Sequence, residues 1–527
     1  WHTGVPATTP AVQAGLLHGD ASAVPAFRWF EKETRRLVVT SRPRDAAAVE
    51  RRVSDGAGLL SGGGASIGNV FTGDASINLL TVSNAALPGR SARGYAAFMT
   101  SPSGFARAVV LGAAEMIKEW HQARLQRRRD VQPRVRRAGA YLILRPISNV
   151  LLRDLNVSLI AEQMARGTPV IFCTFVDYDE VAHYAGPARP EALHSLEGLD
   201  RVAGILARLA EEGARDYRLV VLSDHGQSQG ATFRQRFGET LEHVVRRLLS
   251  NGGAPAAGVA TAHAEQWGPV NALLTGVAGR SGPAGSATRA AIRSYAVTGE
   301  VALGPAEEEQ RAIERSDPDL VVVASGNLAM VYFAHHPGKL TREQLDALHP
   351  DLVAGLAAHP GIGAVIVGTA ADGPVAVGAE GTHRLRDGRV TGRDPLAPYG
   401  PHARADLLRH QAAAHVGDIV VISLVEPGTD EVAAFEELVG CHGGLGGWQT
   451  EAVLVYPAGL TLDTDDLTGP EAVHRQLVRW RDELNPPAAP VVAAIDGRSV
   501  TTGEAPAMGA APPVRLPVGG SPPRSPG

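Results

Sequence analysis

TPVIFCTFVDYDEVAHYAGP, residues 168–187, carries the reading that decides the fold class. Its first nine residues, Thr168 to Val176, are apolar and β-branched, which suits a strand covered on both faces, as a parallel sheet requires. Asp177 and Asp179 follow at its C-terminal end, and His183 lies four residues after Asp179. Downstream, Leu193, Leu196, Leu199, Val202, Leu206 and Leu209 recur near helical spacing between Glu191 and Gly213. Arg218–Leu222 (RLVVL) reads as the next strand and ends in Ser223-Asp224-His225-Gly226. Strand, polar cluster, helix, strand, polar cluster is the order of an α/β sheet whose ligands gather beyond the carboxyl ends of its strands. The expected fold is therefore α/β, a mostly parallel central sheet with helices on both faces.

The polar clusters are suited to metal ions. Carboxylate oxygen and imidazole nitrogen are the donors that hard and borderline cations take, and two Asp/His sets brought together hold two of them. Asp179 and His183 are four apart, so on a helix their side chains share a face and close on one ion. Asp224 and His225 are adjacent and diverge on a regular element, but in a loop just past a strand both can turn toward a site. A third set, Gly440-Cys441-His442-Gly443-Gly444, lies far downstream in a glycine-rich loop. A lone Asp-x-x-x-His pair is common on solvated helices; the three clusters together read as a two-metal hydrolase.

Length and composition bound the rest. A chain of 527 residues exceeds one ordinary domain. Residues 1–230 read as the first part of a metal-binding α/β core, with a helical insertion at about 101–166. Residues 231–410 mix helices with short strands such as Leu320–Ala324, Ala329–Ala334 and Ala364–Gly368 and read as an inserted α+β cap. Residues 411–485 return to the core with strands at Asp418–Leu424 and Thr450–Tyr456, and 486–527 form a Pro/Ala/Gly-rich tail expected to be disordered. Fifty basic against 55 acidic residues, net −5, argue against a dedicated nucleic-acid binder. Cys173 and Cys441 imply no disulfide framework. No apolar run reaches the length of about 18 residues that a membrane span needs, so the segment itself is expected to be soluble. The basic stretch 118–137, with Lys118, Arg124, Arg127, Arg128, Arg129, Arg134, Arg136 and Arg137, fits a solvated helix pair or a face toward a membrane or anionic substrate.

Asp179, His183, Gly186 and Pro187, spaced D-x-x-x-H-x-x-G-P, resemble the first-metal motif of type I phosphodiesterases and nucleotide pyrophosphatases of the alkaline phosphatase superfamily. Ser223-Asp224-His225-Gly226 resembles their second-metal motif, and His442-Gly443 the late histidine that completes the first site. The wording YDEVAHYAGP, HGGLGG and AFRWFEKE is similar to an actinobacterial group in which such a domain follows a membrane-spanning, holin-like region. The resemblance implies two divalent metal ions, Zn²⁺ by the mixed N/O donors with Mn²⁺ as the alternative. It also implies a Thr nucleophile at a helix N-terminus and a phospho-threonine intermediate. Ala7-Thr8-Thr9-Pro10-Ala11 fits, since Thr is favoured as a cap and Pro in the first turn. A T-x-P spacing selects Thr8; the capping position selects Thr9, the first choice of the two. Asn69, closing the glycine-rich loop Ser61–Asn69, resembles a phosphoryl-binding Asn, against the plainer reading of a turn former.

Relatives also place a metal-binding Asp ahead of the nucleophile, and none of the seven residues before Thr8 is Asp. The expectation is that this Asp and its strand lie upstream of Trp1, together with a membrane-associating region; Asp20, Asp74 and Asp177 are the substitutes within the chain. The implied activity is hydrolysis of a phosphate ester, a small molecule or a lipid or envelope substrate. Sulfatases are set aside, because Thr8 and Thr9 cannot mature to formylglycine. A phosphomonoesterase or phosphomutase of the same superfamily, and a non-catalytic envelope or binding module with a degenerate site, are the rival readings.

Overall fold

Helix α1, Thr9–His18, is buried along Pro10–His18, on every side, its polar Gln13 and His18 being hydrogen-bonded to Thr174 and Glu50. The chain is seen as a computed structural model that describes residues 1–85, 102–135, 137, 147–213, 215–249, 256–259, 274, 296–297, 300–301 and 317–485. The expected Pro/Ala/Gly-rich tail 486–527 lies outside them, as do Arg136, residues 138–146 of the expected insertion and part of the expected cap. Thr8, in extended conformation, and not Thr9 as the sequence reading has it, stands at the capping position of α1, and Thr9 is its first residue; Pro10 stands in the first turn, and Gly19 at φ 75° ends the helix with its N–H on the Gly15 carbonyl.

Three strands form a parallel sheet beside α1. β1 (Ala65–Ile67) lies between β2 (Ile77–Leu79) and β3 (Ile171–Cys173), with Ala65 opposite both Ile77 and Ile171. Phe172 of β3 packs with Val12 and Leu16 of α1, so the helix is pinned to the sheet by its apolar side chains. The long helix α2 (Pro102–Arg128) belongs to the expected insertion. Helix α3 (Asp177–Ala185) starts just past β3, and α4 (Pro190–Glu212) follows it. Acidic Asp177, Asp179 and Glu180 in the first turn of α3 and His183 in its last turn complement the helix dipole. The expected strand at Arg218–Leu222 is reduced to Val221–Leu222, which pairs antiparallel with Leu454–Val455. This mixed α/β arrangement with its parallel sheet is consistent with an alkaline phosphatase-like fold.

A larger, eight-stranded sheet contains β4 (Leu320–Ser325), β5 (Leu328–Phe333), β6 (Ile362–Thr369) and β7 (Ile419–Ser423), and is antiparallel except where β4 meets Ala256–Val259. Side chains alternate across it. Val321, Val323, Met330, Tyr332, Val420 and Ile422 join the core around α1, whereas Leu320, Val322, Val331, Phe333, Ile419 and Val421 pack with Val244, Leu345, Leu352 and Leu356 on the other face. The expected division between residues 410 and 411 therefore cuts through one sheet, since β7 sits between β5 and β6. Residues 1–485 form one compact unit, and the strands assigned to a cap help build its main core.

Candidate metal centre

Asp179, on α3, brings its carboxylate between two buried imidazoles: Oδ2 is 3.3 Å from His183 Nε2, and Oδ1 is 3.5 Å from His442 Nε2. One ligand atom from each of the three residues lies within 4.8 Å of the others, the span one cation can bridge. His183 and His442 are about as buried as core residues, whereas the Asp179 side chain is 29% exposed, so the cluster opens through its carboxylate.

His442 reaches this place by backbone pairing. Gly440–Cys441 forms an antiparallel pair with Ser228–Gln229. Val439 N–H donates to the His183 carbonyl at 2.8 Å, and His183 Nδ1 donates to the Gly440 carbonyl at 2.8 Å. Beyond this, Gly326 at φ 62° lets the chain after β4 lie against the His442 backbone, where a Cβ would stand 1.8 Å from the His442 carbonyl oxygen. His442 Nδ1 in turn donates to the carbonyl of Ala7, just before Thr8.

The second cluster adjoins the first. His225 Nδ1 donates to the Gly226 carbonyl at 3.0 Å, its Nε2 lies 3.7 Å from Asp224 Oδ2, and its ring stacks on His442 at 3.7 Å between centroids. Gly226 is held by its N–H on the Gln449 carbonyl, and a Cβ there would meet the Trp448 carbonyl oxygen at 2.0 Å. A carbonyl oxygen only accepts, so all three histidines carry hydrogen on Nδ1 and turn Nε2 to the cluster. Burial, followed by the neighbouring His225 charge, holds His442 well below the usual imidazole range, leaving it neutral. Burial raises the Asp179 carboxyl, but the adjacent His183 outweighs it and holds the carboxyl below the carboxylate range. Neutral imidazole beside ionised carboxylate is the donor state a divalent cation takes, and the residues fit such an ion.

Thr9 Oγ1 lies 3.2 Å from His225 Nε2, at the N-terminus of α1, whose first turn carries no acid. Thr8 Oγ1 is buried and has no hydrogen-bond partner among the described residues. Asn69 is not brought to the cluster's ligands: its amide donates to Ser66 Oγ at 2.8 Å and the Phe172 carbonyl at 3.0 Å and accepts from Thr174 Oγ1 at 2.7 Å. With both amide hydrogens committed, it ties β1 to β3. The candidate substitutes for a further carboxylate are also engaged elsewhere. Asp20 accepts from Ser22 N–H, Asp74 from Ser54 Oγ and Gly58 N–H, and Asp177 pairs with Arg153 at 3.2 Å. Burial raises Asp177 to about 7 against the pull of Arg153.

Gln227 is a residue that the sequence reading missed. Its amide donates to both the carboxylate and the backbone carbonyl of Asp179. Its place two residues after His225 is the only sequence signal, and an isolated Gln says nothing of its partner. Outer hydrogen bonds of this type typically carry 10–100-fold in metal affinity, so Gln227→Ala is expected to weaken divalent-cation binding by roughly that factor in calorimetric titration. Unchanged affinity in the variant would show that the contact does not orient Asp179.

Residues 82–329 match the family model described as type I phosphodiesterase / nucleotide pyrophosphatase, part of the alkaline phosphatase superfamily and a family of phosphoester hydrolases. The matched span contains Asp179, His183, Asp224 and His225; Thr9 and His442 lie outside it. Comparison with curated proteins returns no match.

Proposed function

We propose, from a chain that carries a domain of this phosphoester-hydrolase family, that it hydrolyses phosphodiesters by way of a phospho-threonine on Thr9 and with two divalent cations. The observation that carries the proposal is the position of Thr9 Oγ1, 3.2 Å from an imidazole nitrogen that belongs to an Asp/His cluster and at the positive end of a buried helix. Asp179, His183 and His442 would hold one ion, and Asp224 with His225 would contribute to the other. When bound, such ions favour the threonine alkoxide and the charge that develops on the leaving oxygen.

The remaining work falls to the chain's own groups. Thr9 Oγ1 gives up its proton and attacks phosphorus, its P–O bond forming as the bond to the leaving alkoxide breaks and that alkoxide takes up a proton; water then attacks the phospho-threonine, breaking the P–Oγ1 bond, returning the threonine hydroxyl and releasing a phosphate monoester. The N-terminus of α1 favours the phosphoryl anion throughout. The three Nδ1–H bonds to backbone carbonyls keep the imidazoles from turning during the cycle.

Turnover of bis(4-nitrophenyl) phosphate against 4-nitrophenyl phosphate by the zinc-loaded protein tests the substrate class. Faster diester cleavage is expected. Faster monoester cleavage would move the assignment to a phosphatase, and a folded, zinc-loaded protein that turns over neither would be a binding module.

A further inference from the structure

Helix α2 is inside out. The face it turns to the protein carries Glu119, Ala123 and Gln126, all buried. Glu119 pairs with Arg137 at 3.2 Å, and Gln126 donates to Glu191 of α4 at 2.7 Å. The opposite face carries large apolar side chains in the open: Val110 is 67% exposed, Ile117 68% and Trp120 52%. At 100° per residue these three fall on one stripe, and Arg124, Arg127 and Arg128 continue it toward the C-terminal end. Arg124 lies over the Trp120 ring, 5.5 Å from its centroid. None of Arg124, Arg127, Arg128 or Arg129 has a carboxylate partner among the described residues. An apolar stripe that runs into unneutralised arginines is poorly suited to water, and it matches the boundary of an anionic bilayer. There the aliphatic and indole groups enter the acyl edge, and guanidinium groups meet lipid phosphates. No helix among the described residues is long and apolar enough to cross a membrane, so the mode is lying on the surface.

We propose that the outer face of α2, centred on Ile117, Trp120 and Arg124, docks the protein on anionic lipid surfaces. The charge of the stripe selects this occupant over a second copy of the chain, whose equivalent stripe would repel it. The face involves none of the cluster residues, so the proposal stands or falls independently of the hydrolase reading.

Vesicle flotation tests it, with phosphatidylcholine alone and with about 30% phosphatidylglycerol added. The protein is expected to float with the anionic vesicles at about 0.1 M salt and much less at about 0.5 M. Arg124→Gln/Arg127→Gln/Arg128→Gln should weaken partitioning by roughly a hundredfold, and Ile117→Glu/Trp120→Glu should also abolish flotation. Unchanged circular dichroism and melting temperature would show that both variants fold. No flotation of the wild type, equal flotation with both vesicle types, or variants that float like the wild type would overturn the proposal. So would a wild-type dimer in light scattering that the apolar variant converts to monomer, which would make the face a self-association surface.

Discussion

Thr9→Ala is expected to lose phosphodiester turnover by on the order of 10³-fold or more while retaining its fold and its metal content. The size follows from the role: without the hydroxyl there is no atom to accept the phosphoryl group, and only direct attack by water remains. Little else should change. Thr9 is the first residue of α1, and the helix keeps Thr8 before it, Pro10 in its first turn and the Gly19 stop. Thr8→Ala is the internal control, since that hydroxyl is buried and makes no hydrogen bond among the described residues; its turnover should stay within a few-fold of wild type. Acid quenching with a radiolabelled phosphodiester should trap label on the wild type and on Thr8→Ala but not on Thr9→Ala. If Thr8→Ala is instead the dead variant, the assignment of the nucleophile is reversed.

Asp179→Asn should cost the other large effect. The substitution keeps the shape and removes the charge from the group that lies between His183 and His442 and accepts from Gln227. A positioning contact to a ligand is worth 10–100-fold in affinity, so loss of the ligand charge itself should exceed about 10²-fold. The bound metal is expected to drop from two equivalents to one in elemental analysis, with turnover falling by about 10²-fold or more, because the proposed reaction uses both ions. Zinc should stabilise the wild type against heating, by about 2.7 kcal/mol at a hundredfold excess over its dissociation constant, and stabilise the variant less. An Asp179→Asn protein that retains two equivalents and the full zinc-dependent rise in melting temperature would remove Asp179 from the ligand set.

Asp179 and His183 were legible as a pair because the helix repeat places residues four apart on one face, and α3 is such a helix. The helix at Pro10–Leu17 and the strands at Leu320–Ala324 and Ala329–Ala334 were likewise legible to within a residue or so, since apolar content and Pro signals act locally. Arg218–Leu222 and Thr450–Tyr456 were read as longer strands than Val221–Leu222 and Leu454–Val455, because an apolar run reports burial preference and not which neighbour is there to pair. Asn69 shows the same limit at a single residue. The resemblance suggested a phosphoryl contact and the loop composition a turn former, whereas the parallel register of β1 with β3 brings Thr174 and Phe172 within reach of its amide and engages it.

From residue order alone came the α/β class, the donor types and the helix start that carries Thr8 and Thr9, all set by interactions between residues a few positions apart. Tertiary structure decided the rest. The Gly440–Cys441 pairing with Ser228–Gln229, the Nδ1 bonds of His183 and His442 to distant carbonyls, and the stacking of His225 on His442 join segments separated by more than two hundred residues. Such contacts depend on the packing of the whole sheet and leave no periodic signal in the chain. That packing also separates Thr9, whose hydroxyl meets His225, from Thr8, whose hydroxyl is sealed in the core.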